Sequence, residues 1–185
     1  MTSQGTTRDL VLIALFVALI AVMAQIAIPL PLFVPFTMQT FAIFLAGIVL
    51  GARKAAIAAG LYLLLGALGV PVFSAASGGF GMLMGPSGGF LLSFPLVAFI
   101  VGLASKKANT TQGKQKYLWL ISGLLTGMVV LFTAGMLQLA SVNQISLRAA
   151  FVGVVLPFIV PDLLKAALAL AIAPQIQRVL KDSIR

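Results

Sequence analysis

Six apolar runs, at 10–28, 36–50, 55–70, 88–104, 118–140 and 149–172, make up most of the chain. Runs of this length constrain the fold strongly, because a backbone in lipid must satisfy its own hydrogen bonds and does so most simply as a helix. Composition agrees: 61% of the 185 residues are hydrophobic and 8% are charged. A soluble domain has about 45–50% apolar and about 25% charged residues. The expected architecture is all-α: an integral membrane bundle of six transmembrane helices forming one domain over 1–185. No soluble domain fits in what remains. The first run is too long for a signal-peptide core and meets Pro29 and Pro31 without a small-residue cleavage site, so it is expected to stay as a span.

The net charge of +9 does not point to nucleic acid, because the basic residues lie between the apolar runs. Arg8, Arg53, Lys54, Lys106, Lys107, Lys114, Lys116, Arg178, Lys181 and Arg185 fall in alternate connections and tails, which therefore share one side. The other side carries only Arg148, and Lys165 lies within a run. The positive-inside rule then predicts that both termini and the 105–116 connection are cytoplasmic, and that 29–35, 71–87 and 141–148 face outward.

The chain has no Cys, His or Glu, and its carboxylate side chains are Asp9, Asp162 and Asp182. That removes the commonest metal ligands and general bases. A paired-carboxylate mechanism lacks a second buried acid. Neither a metal centre nor a catalytic set is expected, and an intramembrane enzyme using Asp162 or Lys165 is the weaker alternative.

The first two outer connections carry no charge. The first contains Pro29, Pro31 and Pro35, and the second holds Gly78, Gly79, Gly81 and Gly85, with Phe73 and Phe80. Spans two to four are short for a bilayer, so these loops are expected to dip into its outer half. Irregular backbone at that depth must line a cavity or be buried in protein. The glycine-rich stretch matches no nucleotide-binding pattern and reads either as a plain flexible loop or as one closing over a ligand. Phe73, Ser77, Gly79 and Phe80 are its candidate contacts.

Asp162 and Lys165 are three residues apart, on one helical face, deep in the last run. Ionisable residues at that depth cost about 2.5–3.5 kcal/mol on insertion scales and mark a functional site. Pro157 and Pro161 just before them predict a broken helix beside the charges, a transporter pattern. The competing reading is an ion pair that only fixes packing. Gln39, in Thr37-Met38-Gln39-Thr40, is a further polar candidate near the outer end of the second run. Ala14 and Ala18 form a small-xxx-small pair, extended by Ala21, that serves internal packing or docking of another membrane protein.

Three stretches then identify a resemblance: Val34-Pro35-Phe36-Thr37-Met38-Gln39-Thr40, Gly78-Gly79-Phe80-Gly81 through Gly85-Pro86-Ser87-Gly88-Gly89-Phe90, and Pro161-Asp162-Leu163-Leu164-Lys165-Ala166. Their order and spacing resemble the BioY family, the biotin-specific substrate-binding (S) components of energy-coupling-factor (ECF) transporters. Ser87 and Phe90 stand where that family often has Thr and Tyr, and Val160-Pro161 where it often has Pro-Gly. The resemblance implies six helices in a prokaryotic cell membrane and capture of biotin from outside. Its implied partners are a transmembrane coupling protein and two cytoplasmic ATPases, with Ala14 and Ala18 contacting the coupling protein. Biotin would be bound as transported ligand, and no cofactor is implied. An apolar bicycle with a ureido group and one carboxylate suits a dry pocket with few polar groups. Asp162 can accept ureido N–H bonds, and Lys165 can donate to the ureido oxygen or pair with the carboxylate. An S component for another small vitamin is the alternative within the same class.

Overall fold

The computed structural model describes residues 3–28 and 34–182. Most of the first outer connection, 29–33, and Arg185 lie outside the described residues. Among the described residues there are eight α-helices: α1 (Ser3–Gln25), α2 (Gln39–Leu50), α3 (Ala52–Ala67), α4 (Phe80–Met84), α5 (Gly88–Ala108), α6 (Lys114–Asn143), α7 (Leu147–Ala150) and α8 (Leu156–Asp182). A small hairpin pairs β1 (Ala27–Ile28) with β2 (Phe36–Thr37) in antiparallel fashion, Ala27 opposite Thr37.

α1, α2, α3, α5, α6 and α8 run back and forth between two ends of one bundle. At one end the Arg8 guanidinium donates to Leu180 O, Lys54 pairs with Asp9, and Gln177 Nε2 donates to Ile48 O at 2.8 Å. The start of α1, the α2–α3 corner and the end of α8 therefore meet at the end rich in basic residues. At the opposite end Gln138 Nε2 on α6 donates to Leu83 O at 2.7 Å and Gly85 O at 3.0 Å, tying down the connection around α4.

Among the described residues, four helical stretches are long and apolar enough to cross a membrane: Thr7–Gln25, Gly88–Ala108, Lys114–Asn143 and Leu147–Leu180. α2 is shorter than its apolar run, with 12 residues. That gives roughly 18 Å of helix at 1.5 Å per residue. Phe36 and Thr37 are taken by the hairpin, and Gly51, at φ 77°, ends the helix. From Phe41 to Ile48 every residue of α2 is buried. A helix apolar on all sides belongs in the centre of a bundle, and α1, α3, α5 and α8 surround it. Close approach needs small residues: a Cβ at Gly47 would lie 2.7 Å from Val101 Cβ, and one at Gly102 would lie 2.2 Å from Ala52 N.

The last run departs from expectation. α8 continues unbroken through Pro161. The irregularity lies a turn earlier, where Phe151–Val155 forms a π-helical turn between α7 and α8. This wider turn immediately precedes Pro157, which has no backbone N–H to offer the preceding turn. The outer connection read as 141–148 shrinks to a short corner, since α6 extends to Asn143 and α7 starts at Leu147.

Candidate functional site

A cavity opens at the end of the bundle away from the basic residues, between α2, α5, α6 and α8 and roofed partly by the segment after α3. It holds about 600 Å³ of space free of protein atoms, counting the part open to the surroundings. Phe73, Phe90, Phe94, Phe132 and Phe158 make much of its wall.

The polar groups gather at one place. Lys165 Nζ donates to Asp162 Oδ1 at 2.7 Å and to Thr40 Oγ1 at 3.0 Å. Thr40 Oγ1 donates to Asp162 Oδ1 at 3.0 Å, closing a triangle between α2 and α8. Asp162 and Lys165 are 2% and 4% exposed, so the pair sits out of water and compensates its own charge. Lys165 Nζ also lies 4.0 Å from the centroid of the Phe36 ring, which stacks on Phe158 at 6.3 Å. Both carboxylate contacts fall on Oδ1, and Lys165 spends two N–H groups on Asp162 and Thr40, leaving Oδ2 of Asp162 and a third ammonium N–H for a guest.

Gln39 forms a second polar spot on the wall. Its Oε1 accepts from Thr37 Oγ1 at 2.8 Å, and its Nε2 donates to Tyr62 Oη. Tyr62 Oη in turn donates to Val72 O at 3.2 Å, fixing the amide by a chain of bonds. Phe73 packs edge-on to Tyr62, with ring centroids 5.5 Å apart, and presses against Gly66, where a Cβ would lie 2.1 Å from Phe73 Cζ.

Of the residues picked out from the sequence, Asp162, Lys165, Gln39 and Phe73 line this one cavity. Ser77, Gly79 and Phe80 are not on its wall. Ser77 instead closes a tight turn, accepting the Phe73 N–H through its carbonyl at 2.9 Å. Gly79, at φ 100°, turns the chain into α4, and that turn leaves Phe80 62% exposed. Thr40, Ser74 and Ser87 line the cavity without having been singled out. Thr40 stands one residue beyond Gln39, and its role depends on a residue 122 positions away. Ala14 and Ala18 face outward from α1, while Ala21 is partly buried against the core. The strip is therefore free of internal packing at its first two members. Among the described residues no group of His, Cys, Asp or Glu could hold a metal ion.

Comparisons with known proteins converge. The chain is 42% identical over 170 residues to "Probable biotin transporter BioY" of Pyrococcus horikoshii, covering 92% of this chain and 96% of that one. It is 38% identical over 171 residues to "Biotin transporter BioY" of Thermotoga maritima, with the same coverage. Its fold matches a crystal structure of the S-component for biotin from an ECF-type ABC transporter, with a TM-score of 0.88 and 29% identity over 96% of this chain and 95% of the other. The BioY family model matches residues 1–182. With that match over nearly its full length, this chain belongs to the BioY family.

Proposed function

We propose that this chain is the biotin-binding membrane subunit of an ATP-driven ECF-type uptake transporter. The observation that carries the proposal is the Thr40–Asp162–Lys165 triangle set in an otherwise apolar cavity. Biotin presents an apolar bicycle and chain to the phenylalanine walls. Its ureido N–H groups and oxygen suit an acceptor and a donor side by side, which Asp162 and Lys165 supply. Gln39 and Phe73 contribute an amide and a ring elsewhere on the wall. Ser77, Gly79 and Phe80 act, in this reading, through the segment that covers the cavity rather than by direct contact.

All six of the long helices cross the membrane in this reading, the short α2 and α3 being completed by the hairpin and by the segment before α5. Both termini lie in the cytoplasm of a prokaryotic cell, with the cavity facing out. The clustering of basic residues at the end opposite the cavity supports this orientation. The whole chain forms one domain. It carries no nucleotide-binding motif, so energy comes from partners: a transmembrane coupling protein seated on Ala14 and Ala18, and two cytoplasmic ATPases. The protein binds and hands over its ligand without chemistry. Ser93 and Ser122, two serines that a Ser–Lys hydrolase could draw on, donate to Phe90 O at 2.7 Å and Trp119 O at 2.9 Å in their own helices.

Equilibrium binding of labelled biotin to the purified protein, with riboflavin and thiamine as competitors, tests this. Saturable binding displaced by biotin alone is expected. Displacement by another vitamin and not by biotin would move the assignment to a different substrate.

A further inference from the structure

Gln25, the last residue of α1, reaches across to the segment that carries Phe73. Its Nε2 donates to Phe73 O at 3.1 Å and lies 3.4 Å from Val72 O, with a further contact of 3.1 Å to Ala21 O in its own helix. On the other side of the same amide, Oε1 accepts the Ala76 N–H at 2.9 Å. Carbonyls on one side and an N–H on the other allow only one orientation of the amide.

The segment it grips is strained. Ala75 (φ 55°, ψ 38°) and Ala76 (φ 52°) are consecutive non-glycine residues in the left-handed region. A Cβ disfavours that conformation at each of them, so surrounding bonds must hold it. Phe73 N–H to Ser77 O at 2.9 Å and Ser77 Oγ to Ser74 O at 2.7 Å close the loop from within. From outside, Tyr62 Oη donates to Val72 O, and Gln25 holds the Phe73–Ala76 part that includes both left-handed residues. The result keeps the Phe73 ring buried and Ser74 on the cavity wall.

We infer that Gln25 is a positioning residue whose amide latches the 72–76 segment over the cavity, so that its release sets how fast ligand enters and leaves. This rests on reading the cavity as the biotin site, although the latch itself can be measured without ligand. Gln25 also continues the exposed stripe of α1 that holds Ala14, Ala18 and Val22. The latch therefore belongs to the helix face proposed to meet the coupling protein.

The chain is free of cysteine, so Ser74→Cys gives a single reporter in the full-length purified protein. Without biotin, Gln25→Leu is expected to raise the alkylation rate of this reporter about tenfold, the equivalent of one to two net hydrogen bonds. Ala76→Gly relieves the left-handed strain. It should slow alkylation in the otherwise unchanged protein and bring the Gln25→Leu rate back down. With labelled biotin, Gln25→Leu should raise association and dissociation rates together, so that Kd moves less than either. A merely structural defect would weaken Kd without faster association. Unchanged alkylation in Gln25→Leu, or faster alkylation in Ala76→Gly, would overturn the latch. Failure of the unmodified protein to bind biotin would instead sink the cavity assignment, and the alkylation rates would still decide the latch.

Discussion

The ammonium of Lys165 sits 4.0 Å from the centre of the Phe36 ring. Phe36 comes from the hairpin before α2 and Lys165 from α8, so the contact binds the cavity's polar cluster to its rim. A desolvated cation over a ring face is stabilised by about 0.5–2 kcal/mol. Phe36→Leu keeps the apolar volume and removes the quadrupole. Biotin affinity should fall by about 0.5–2 kcal/mol, read from a binding isotherm. An unchanged isotherm would show that Lys165 is held by Asp162 and Thr40 alone.

Gly66 and Phe73 make a second test. A Cβ at Gly66 would lie 2.1 Å from Phe73 Cζ, so Gly66→Ala must displace the ring from the wall. Overpacking of this kind costs about 1–3 kcal/mol. Thermal unfolding in detergent should show that loss, and biotin affinity should fall with it. Adding Phe73→Leu makes room and should recover the stability but not the affinity. Recovery of both would remove Phe73 from the binding surface.

Orientation is open to direct labelling. Lys107→Cys should resist impermeant thiol reagents in intact cells if, as proposed, the basic end faces the cytoplasm. Ser77→Cys should react, and biotin should protect it when the segment over the cavity closes. Labelling of Lys107→Cys from outside would reverse the map.

Docking predicts a split phenotype. Ala14 and Ala18 are exposed on α1 and do not line the cavity, and helix association in lipid relies on close backbone contact. Ala14→Trp or Ala18→Trp should block complex formation and coupled uptake while the isolated subunit still binds biotin. Complexes that assemble normally, with biotin binding lost, would place the strip inside the fold.

Much of this site could be read in the sequence because charge is rare in it. Asp162 and Lys165 stand out in an apolar run, and their three-residue spacing places them on one face whatever the tertiary structure. Gln39 was visible for the same reason. Apart from Phe73, the phenylalanines of the wall were not, because Phe90, Phe94, Phe132 and Phe158 look the same in sequence whether they face lipid or a cavity. Thr40 was hidden because its partners lie on α8. Phe80 was misleading: an aromatic in a glycine-rich loop suggests a contact, but the positive φ of Gly79 starts a short helix that leaves it exposed. The length of α2 could not be read either. Hydropathy marks where a helix is tolerated, whereas the pairing of Phe36 and Thr37 with Ile28 and Ala27 decides where it begins. Pro157 and Pro161 signalled an irregularity, but a π turn ahead of Pro157 takes the place of a break.

The central claim is that the buried pair on α8 binds the ligand rather than only holding helices together. Equilibrium binding of labelled biotin to purified, folded Lys165→Ala and Asp162→Asn tests it most directly. Each substitution leaves a buried partner uncompensated and removes a ligand contact, so affinity should drop by about 2–5 kcal/mol. Asp162→Asn, which keeps one acceptor, should lose less than Asp162→Ala. Near-normal biotin binding by a folded Lys165→Ala protein would contradict the account.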